Sequence, residues 1–123
     1  MVAIFLGRLA AGEAPRIFGD GRQTRDYVYA GDVASATLAA AGLDGGVFNV
    51  GTGVETSVLE LYELCRRIAG VEIEAEPAPP RLGELQRSVL DVTRAESELD
   101  WRPEVALEDG LRRTWESLAG RGP

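Results

Sequence analysis

The stretch that decides the reading is Ile17-Phe18-Gly19-Asp20-Gly21-Arg22-Gln23-Thr24-Arg25-Asp26-Tyr27-Val28-Tyr29. Asp20-Gly21 between two apolar or alternating runs is a common two-residue hairpin loop, because glycine takes positive φ at little cost. A β-hairpin is therefore expected here. Along its second strand a period of two puts Gln23, Arg25, Tyr27 and Tyr29 on one face, with Thr24, Asp26 and Val28 on the other. A guanidinium held beside aromatic rings suits a phosphate and a flat base, since its fork of N–H donors matches phosphate oxygens and its weak hydration lowers the cost of burial. The same residues also fit a solvated hairpin on which an arginine pairs with Asp20 or Asp26, an arrangement that contributes little to stability.

Working outward, the 123 residues fit one small domain, which need not be a whole protein. With 45% hydrophobic and 27% charged residues the chain has the balance of an ordinary globular protein. A net charge of −7 opposes a general nucleic-acid or anionic-membrane surface, because such partners are held by a cationic field. Any phosphate must be met locally. The single cysteine, Cys65, leaves no intramolecular disulfide, and no apolar run approaches a membrane span or a signal peptide, so a cytoplasmic location is expected. There is no histidine, and all 13 basic residues are arginine. A Ser-His-Asp triad, a histidine metal site, a P-loop lysine and a Schiff-base lysine are all excluded from this chain. Arginine, carboxylate, tyrosine and hydroxyl groups remain, and they suit binding better than turnover.

The flanking segments read as alternating helices and short strands. Val2 to Ala11 carries a helical apolar face at 2, 5, 6 and 9 with Gly12 past its end, and its start at Met1 without a polar lead-in suggests a chain that begins inside a larger fold. Asp32 is placed to cap a helix over Val33 to Ala41, rich in small residues. Val47 to Val50 reads as a short strand of the kind buried on both faces. Gly51-Thr52-Gly53 follows it, but lacks the GxGxxG spacing and reads as a structural turn rather than a cofactor loop. Ser57 and Glu60 form a capping box for a helix to about Ala69, with Val58, Leu61, Cys65 and Ile68 on its apolar face. Val71 to Glu76 alternates as a strand exposed on one face, ended by Pro77 to Pro80. Arg81 and Glu84 sit in the following loop, where they either face inward as a cation and a hydroxyl acceptor or form a solvated ion pair. Ser88 to Val92 is extended or a short strand, Thr93 caps a helix over Arg94 to Leu99, Trp101 and Trp115 read as core anchors, and a last helix spans about Glu108 to Leu118, leaving residues 120–123 to fray.

Several of these marks, in this order, carry a family resemblance: Gly12-Glu13-Ala14-Pro15, IFGDGRQTRDYVYAGDV from Ile17 to Val33, FNVGTG from Phe48 to Gly53, RLGE from Arg81 to Glu84, and Trp101-Arg102-Pro103 before Leu107 to Leu111. The chain resembles the C-terminal part of an NAD-dependent sugar-nucleotide epimerase/dehydratase, an extended short-chain dehydrogenase/reductase, most like the UDP-glucose 4-epimerases. The resemblance implies a mixed α/β fold of short strands with about five helices, in which residues 1–123 are a single partial domain that binds substrate. It implies that Arg25 and Arg81 contact the diphosphate of a UDP-sugar, that Glu84 accepts from ribose hydroxyls, that Phe18 walls the base pocket and that Gln23 helps orient the ribose. NAD would be bound by the N-terminal Rossmann half, which is absent here together with its glycine fingerprint and Tyr-x-x-x-Lys pair, so this chain alone is expected to hold no cofactor, no metal and no catalytic residue. The expected partners are a UDP-sugar and either the missing Rossmann half or further copies. Two alternatives stay open: a non-catalytic dimerisation or interaction module, and the same portion of a nucleotide-sugar decarboxylase or reductase. In the family, the helix after Asp32 and the FNVG segment pack with the Rossmann half, which implies exposed apolar surface here.

Overall fold

The computed structural model describes residues 1–43 and 46–119, so the expectation for the 120–123 tail lies outside the described residues. Among the described residues nine elements follow one another: α1 (Val2–Ala10), β1 (Arg16–Phe18), β2 (Thr24–Arg25), α2 (Ala30–Ala40), β3 (Thr56–Ser57), α3 (Val58–Ala69), β4 (Glu76–Ala78), α4 (Thr93–Leu99) and α5 (Leu107–Ala119). The expected mixed α/β portion with five helices and short strands is what forms.

The main core is built by α1, α3 and α5. Phe5, Leu6 and Leu9 of α1 meet Val58, Leu61, Tyr62 and Cys65 of α3 and Leu111 of α5, with Ile17 of β1 joining them. The Phe5 and Tyr62 rings meet edge to face, 5.3 Å apart at 76°, and the Tyr62 hydroxyl donates to the Ile73 carbonyl. The α3 helix begins where its sequence signals it should. The Ser57 hydroxyl accepts from the Glu60 amide at 3.1 Å, the Glu60 carboxylate accepts from the Ser57 amide at 3.3 Å, and Gly70 closes the helix in the left-handed conformation. A second, smaller core joins Ala36 of α2, Ala95 of α4 and Trp101. There the indole N–H donates to the Asp32 carbonyl and the Ser35 hydroxyl at 3.0 and 2.9 Å. Trp115 packs half-buried against the main core.

The strands depart from the sequence reading. The hairpin does not form: β1 pairs in parallel with β4, and β2 pairs antiparallel with β3. The turn residues between β1 and β2 have other uses for their backbone. Gly19 donates to the Ala78 carbonyl, while the Gly21 and Gln23 carbonyls accept from Leu59 and Val58 at the start of α3. Gly21 does sit at a tight turn, with φ +72, and a Cβ there would lie 2.7 Å from Leu59 Cγ. The proposed shared face of Gln23, Arg25, Tyr27 and Tyr29 therefore splits, because β2 is only two residues long. Pro77 lies inside β4 opposite Ile17 rather than ending a strand, which an edge strand tolerates since its outer N–H has no partner to lose. Residues 71–75 keep the expected alternation, with Val71, Ile73 and Ala75 packed on the core. They form no ladder there.

Val47 to Val50 is not a strand. Phe48 and Val50 pack on the smaller core, but Val47 is 81% exposed, and its carbonyl accepts from the Arg94 guanidinium rather than from a neighbouring strand. Ser88 to Val92 is likewise not a strand. Two caps move. The α2 helix starts at Ala30 with Tyr29 as its N-cap, because the Asp32 carboxylate is spent on the amides of Glu104 and Val105 at 3.1 and 3.0 Å. Thr93 is the first residue of α4, not its cap, and Asp91 accepts from both its amide and its hydroxyl.

Candidate functional site

At the β1–β2 turn the chain makes a cleft of about 200 Å³ lined by Phe18, Gly19, Asp20, Gln23, Pro80, Arg81, Glu84 and Gln86. Four of the five residues singled out from the sequence line it, and the fifth, Arg25, reaches it through Glu84. The end of β1 supplies Phe18, the turn places Gln23, β2 carries Arg25, and the loop after β4 brings Arg81 and Glu84 across.

The Gln23 side chain is buried, and its amide donates to the Phe18 carbonyl at 3.0 Å. That bond closes the turn on itself and fixes the backbone under the Phe18 ring. Arg25 is held by its surroundings: Nη1 donates to the carbonyls of Thr24 and Leu85 at 2.6 and 2.8 Å, and Nη2 lies 3.5 Å from a Glu84 oxygen, both side chains being partly buried. Arg81 adopts a different position, with its guanidinium carbon 4.0 Å above the centre of the Phe18 ring. The solvated Arg81–Glu84 pair is therefore not what the loop makes, since Glu84 is turned to Arg25.

Behind the cleft, one carboxylate gathers three segments. Asp26 accepts from the Thr52 amide at 2.9 Å, the Thr52 hydroxyl, the Gly53 amide at 2.8 Å and the Leu90 amide at 3.3 Å. Burial by itself would raise the Asp26 carboxyl, but the hydrogen bonds from Thr52, Gly53 and Leu90 outweigh it and hold the group below the ordinary aspartate range. Gly51 is required for this approach, since a Cβ there would come within 2.8 Å of the Asp26 carboxylate. Nearby, Glu55 accepts two bonds from Arg87 at 2.8 and 2.7 Å and one from the Thr24 hydroxyl at 2.9 Å. The Arg87 and Thr24 bonds pull its carboxyl down to about 2. The Thr24 amide donates to the Gln86 carbonyl at 2.8 Å. Asp26 and Glu55 thus fix the strand that presents Arg25 and the far end of the loop that presents Arg81.

The Gly51-Thr52-Gly53 turn does not fit a dinucleotide phosphate. Its Thr52 and Gly53 donors are already given to Asp26, and at the start of α3 the amides of Val58, Leu59 and Glu60 are given to Gln23, Gly21 and Ser57. The structural-turn reading stands. Two other clefts suit a phosphate poorly. One of about 460 Å³ is lined by Asp20, Glu63, Glu74 and Glu76, and its one arginine, Arg66, is already paired with Glu63. Another, of about 270 Å³, is walled by Val2, Val105, Leu107 and Leu111, and it is here that Tyr27 and Tyr29 lie, apart from Gln23.

Sequence reasoning missed Asp20, Pro80 and Gln86 in the cleft wall, and Asp26 and Glu55 behind it. Asp26 follows β2 directly, and its carboxylate reaches the Thr52–Gly53 turn and the Leu90 amide. Its partners lie 26, 27 and 64 positions away, and no local pattern announces them. Cys65 is not part of any site: it is buried in the core, and burial pushes its thiol up to about 12.

Two arginines, an aromatic ring and a carboxylate thus lie together at the β1–β2 turn of a mixed α/β chain. The family model described as GDP-mannose 4,6 dehydratase matches residues 1–114, and the chain belongs to this family of NAD-dependent sugar-nucleotide epimerases and dehydratases. It is 52% identical over 118 residues to the UDP-glucose 4-epimerase of Mycolicibacterium smegmatis, covering 94% of this chain and 38% of the relative. Among solved structures it superposes on UDP-glucose 4-epimerase with UDP-glucose from Thermotoga maritima with a TM-score of 0.91 at 45% identity, covering 97% of this chain and 39% of that one. The Thermus thermophilus UDP-glucose 4-epimerase in complex with NAD gives a TM-score of 0.92 at 38% identity, with coverages of 98% and 40%. The chain thus spans less than half the length of the relatives it matches. No helix among the described residues is long and apolar enough to cross a membrane.

Proposed function

We propose that residues 1–123 are the C-terminal, substrate-binding portion of an NAD-dependent UDP-sugar epimerase of the UDP-glucose 4-epimerase kind, a single partial domain whose task is to grip the nucleotide diphosphate. The observation that carries this reading is the gathering of Phe18, Gln23, Arg81 and Glu84 around one cleft, with Arg25 beside it, 3.5 Å from Glu84. Arg25 and Arg81 bind the diphosphate through charge-assisted bonds, Phe18 stacks on the base, and Glu84 and Gln23 meet the ribose hydroxyls. In the complete enzyme these contacts lie away from the reacting carbon and orient the sugar beside NAD, which residues outside this chain hold. The Tyr-Lys pair of the family's chemistry also lies outside it, since this chain has no lysine.

The likeness to a structure that contains UDP-glucose supports this reading, as does the exposed apolar surface of Val33, Leu38 and Val47, suited to packing on a Rossmann half. Titration calorimetry of UDP into the full-length protein tests it. Charge-assisted bonds contribute about 1.5–3 kcal/mol each, so Arg25→Ala and Arg81→Ala should each weaken UDP on the order of 10- to 100-fold. Unchanged affinity in both variants would refute the assignment.

A further inference from the structure

Resting on that reading of the cleft, we propose that Arg81 is a specificity-determining residue that covers the base site and leaves it only for a ligand carrying both an aromatic base and a diphosphate. The two arginines are held in different ways. Arg25 is fixed by two backbone carbonyls and Glu84. Arg81 is exposed, forms no salt bridge among the described residues, and rests on the Phe18 ring at 4.0 Å, where a base would have to lie. With the guanidinium there the cleft measures about 200 Å³, below the roughly 300 Å³ at which ligand pockets begin.

The loop is built to let Arg81 go while its ends stay in place. At one end Pro80 lies against Gly19. At the other, the Gln86 carbonyl accepts from the Thr24 amide at 2.8 Å and Arg87 is clamped by Glu55. Between them Leu82 is fully exposed and Gly83 has φ +76. A cation on an exposed aromatic face is weakly held. A diphosphate offers charged oxygens that hold the same guanidinium more strongly. A nucleoside without phosphates must displace Arg81 and offers it nothing in return, so the stack penalises nucleosides and favours nucleotides.

The test compares uridine and UDP, each titrated by competition into the full-length protein, in the parent and in Arg81→Ala. Removing the stack should tighten uridine about two- to fivefold, while UDP weakens at least about tenfold. The uridine gain should vanish when Arg81→Ala is made in a Phe18→Leu background. Uridine binding that is unchanged, weaker or undetectable in both proteins, with UDP still weakened, overturns the covering role and leaves the diphosphate grip standing. UDP affinity unchanged by Arg81→Ala overturns the covering role and removes Arg81 from the diphosphate grip, and the grip itself falls if Arg25→Ala also leaves UDP unchanged.

Discussion

Replacing Asp26 by alanine is the perturbation that bears most directly on how the cleft is supported. The carboxylate is the common acceptor for the amides of Thr52, Gly53 and Leu90 and for the Thr52 hydroxyl. Asp26→Ala removes all four bonds and leaves their donors to find water. A hydrogen bond to a charged group contributes about 1.5–3 kcal/mol, and a neutral one about 1. Asp26 is only partly buried, so water replaces some of what is lost, and a net cost of about 2–4 kcal/mol is expected. Urea unfolding of the chain, followed by the fluorescence of Trp101 and Trp115, reads this directly. With a slope of about 2 kcal/mol/M the midpoint should fall by about 1–2 M. Asp26→Asn, which keeps the shape and one acceptor oxygen, should fall between the two. A midpoint for Asp26→Ala within about 0.3 M of the parent, a shift worth well under 1 kcal/mol at that slope, would show that the carboxylate does not hold the three segments together.

The low Glu55 carboxyl gives a pH dependence of defined sign. Its folded value, about 2, lies below the ordinary 4.5, so its contribution is present above pH 4.5 and is lost as the pH falls from there towards 2. Glu55→Gln should flatten the acid side of the stability profile over that window, and an unchanged profile would argue against the Arg87 and Thr24 bonds. Gly21→Ala should lower the melting temperature by several degrees, since both the positive φ and the approach of Leu59 disfavour a side chain; an equal or higher melting temperature would contradict the tight turn.

The helices were legible because their signals are local. Ser57, Glu60 and Gly70 mark both ends of α3 within the sequence of the helix itself, and the apolar spacing of Phe5, Leu6 and Leu9 finds the buried face of α1. The strands were not, since Asp20-Gly21 looks like a hairpin loop whether or not its flanks pair. Here β1 finds a parallel partner some 60 residues on, and α3 takes the turn's carbonyls. Helix starts slipped where an expected cap had another task, as with Asp32 and the 104–105 backbone. Within the cleft, the residue types at Phe18, Gln23, Arg25, Arg81 and Glu84 could be named from motif order. Their spacing could not say that Glu84 turns to Arg25 while Arg81 turns to Phe18, because that depends on how a loop more than 50 residues away crosses β2.

The central claim is that nucleotide binds between the β1–β2 turn and the loop after β4. Amide hydrogen exchange of the full-length protein with and without UDP tests it most directly. Added UDP should slow exchange in two separate peptides, residues 16–25 and 80–88, and leave the 51–57 turn, whose donors are already spent on internal partners, unchanged. Protection confined to the 51–57 turn, or absent from both cleft segments at saturating UDP, would contradict it.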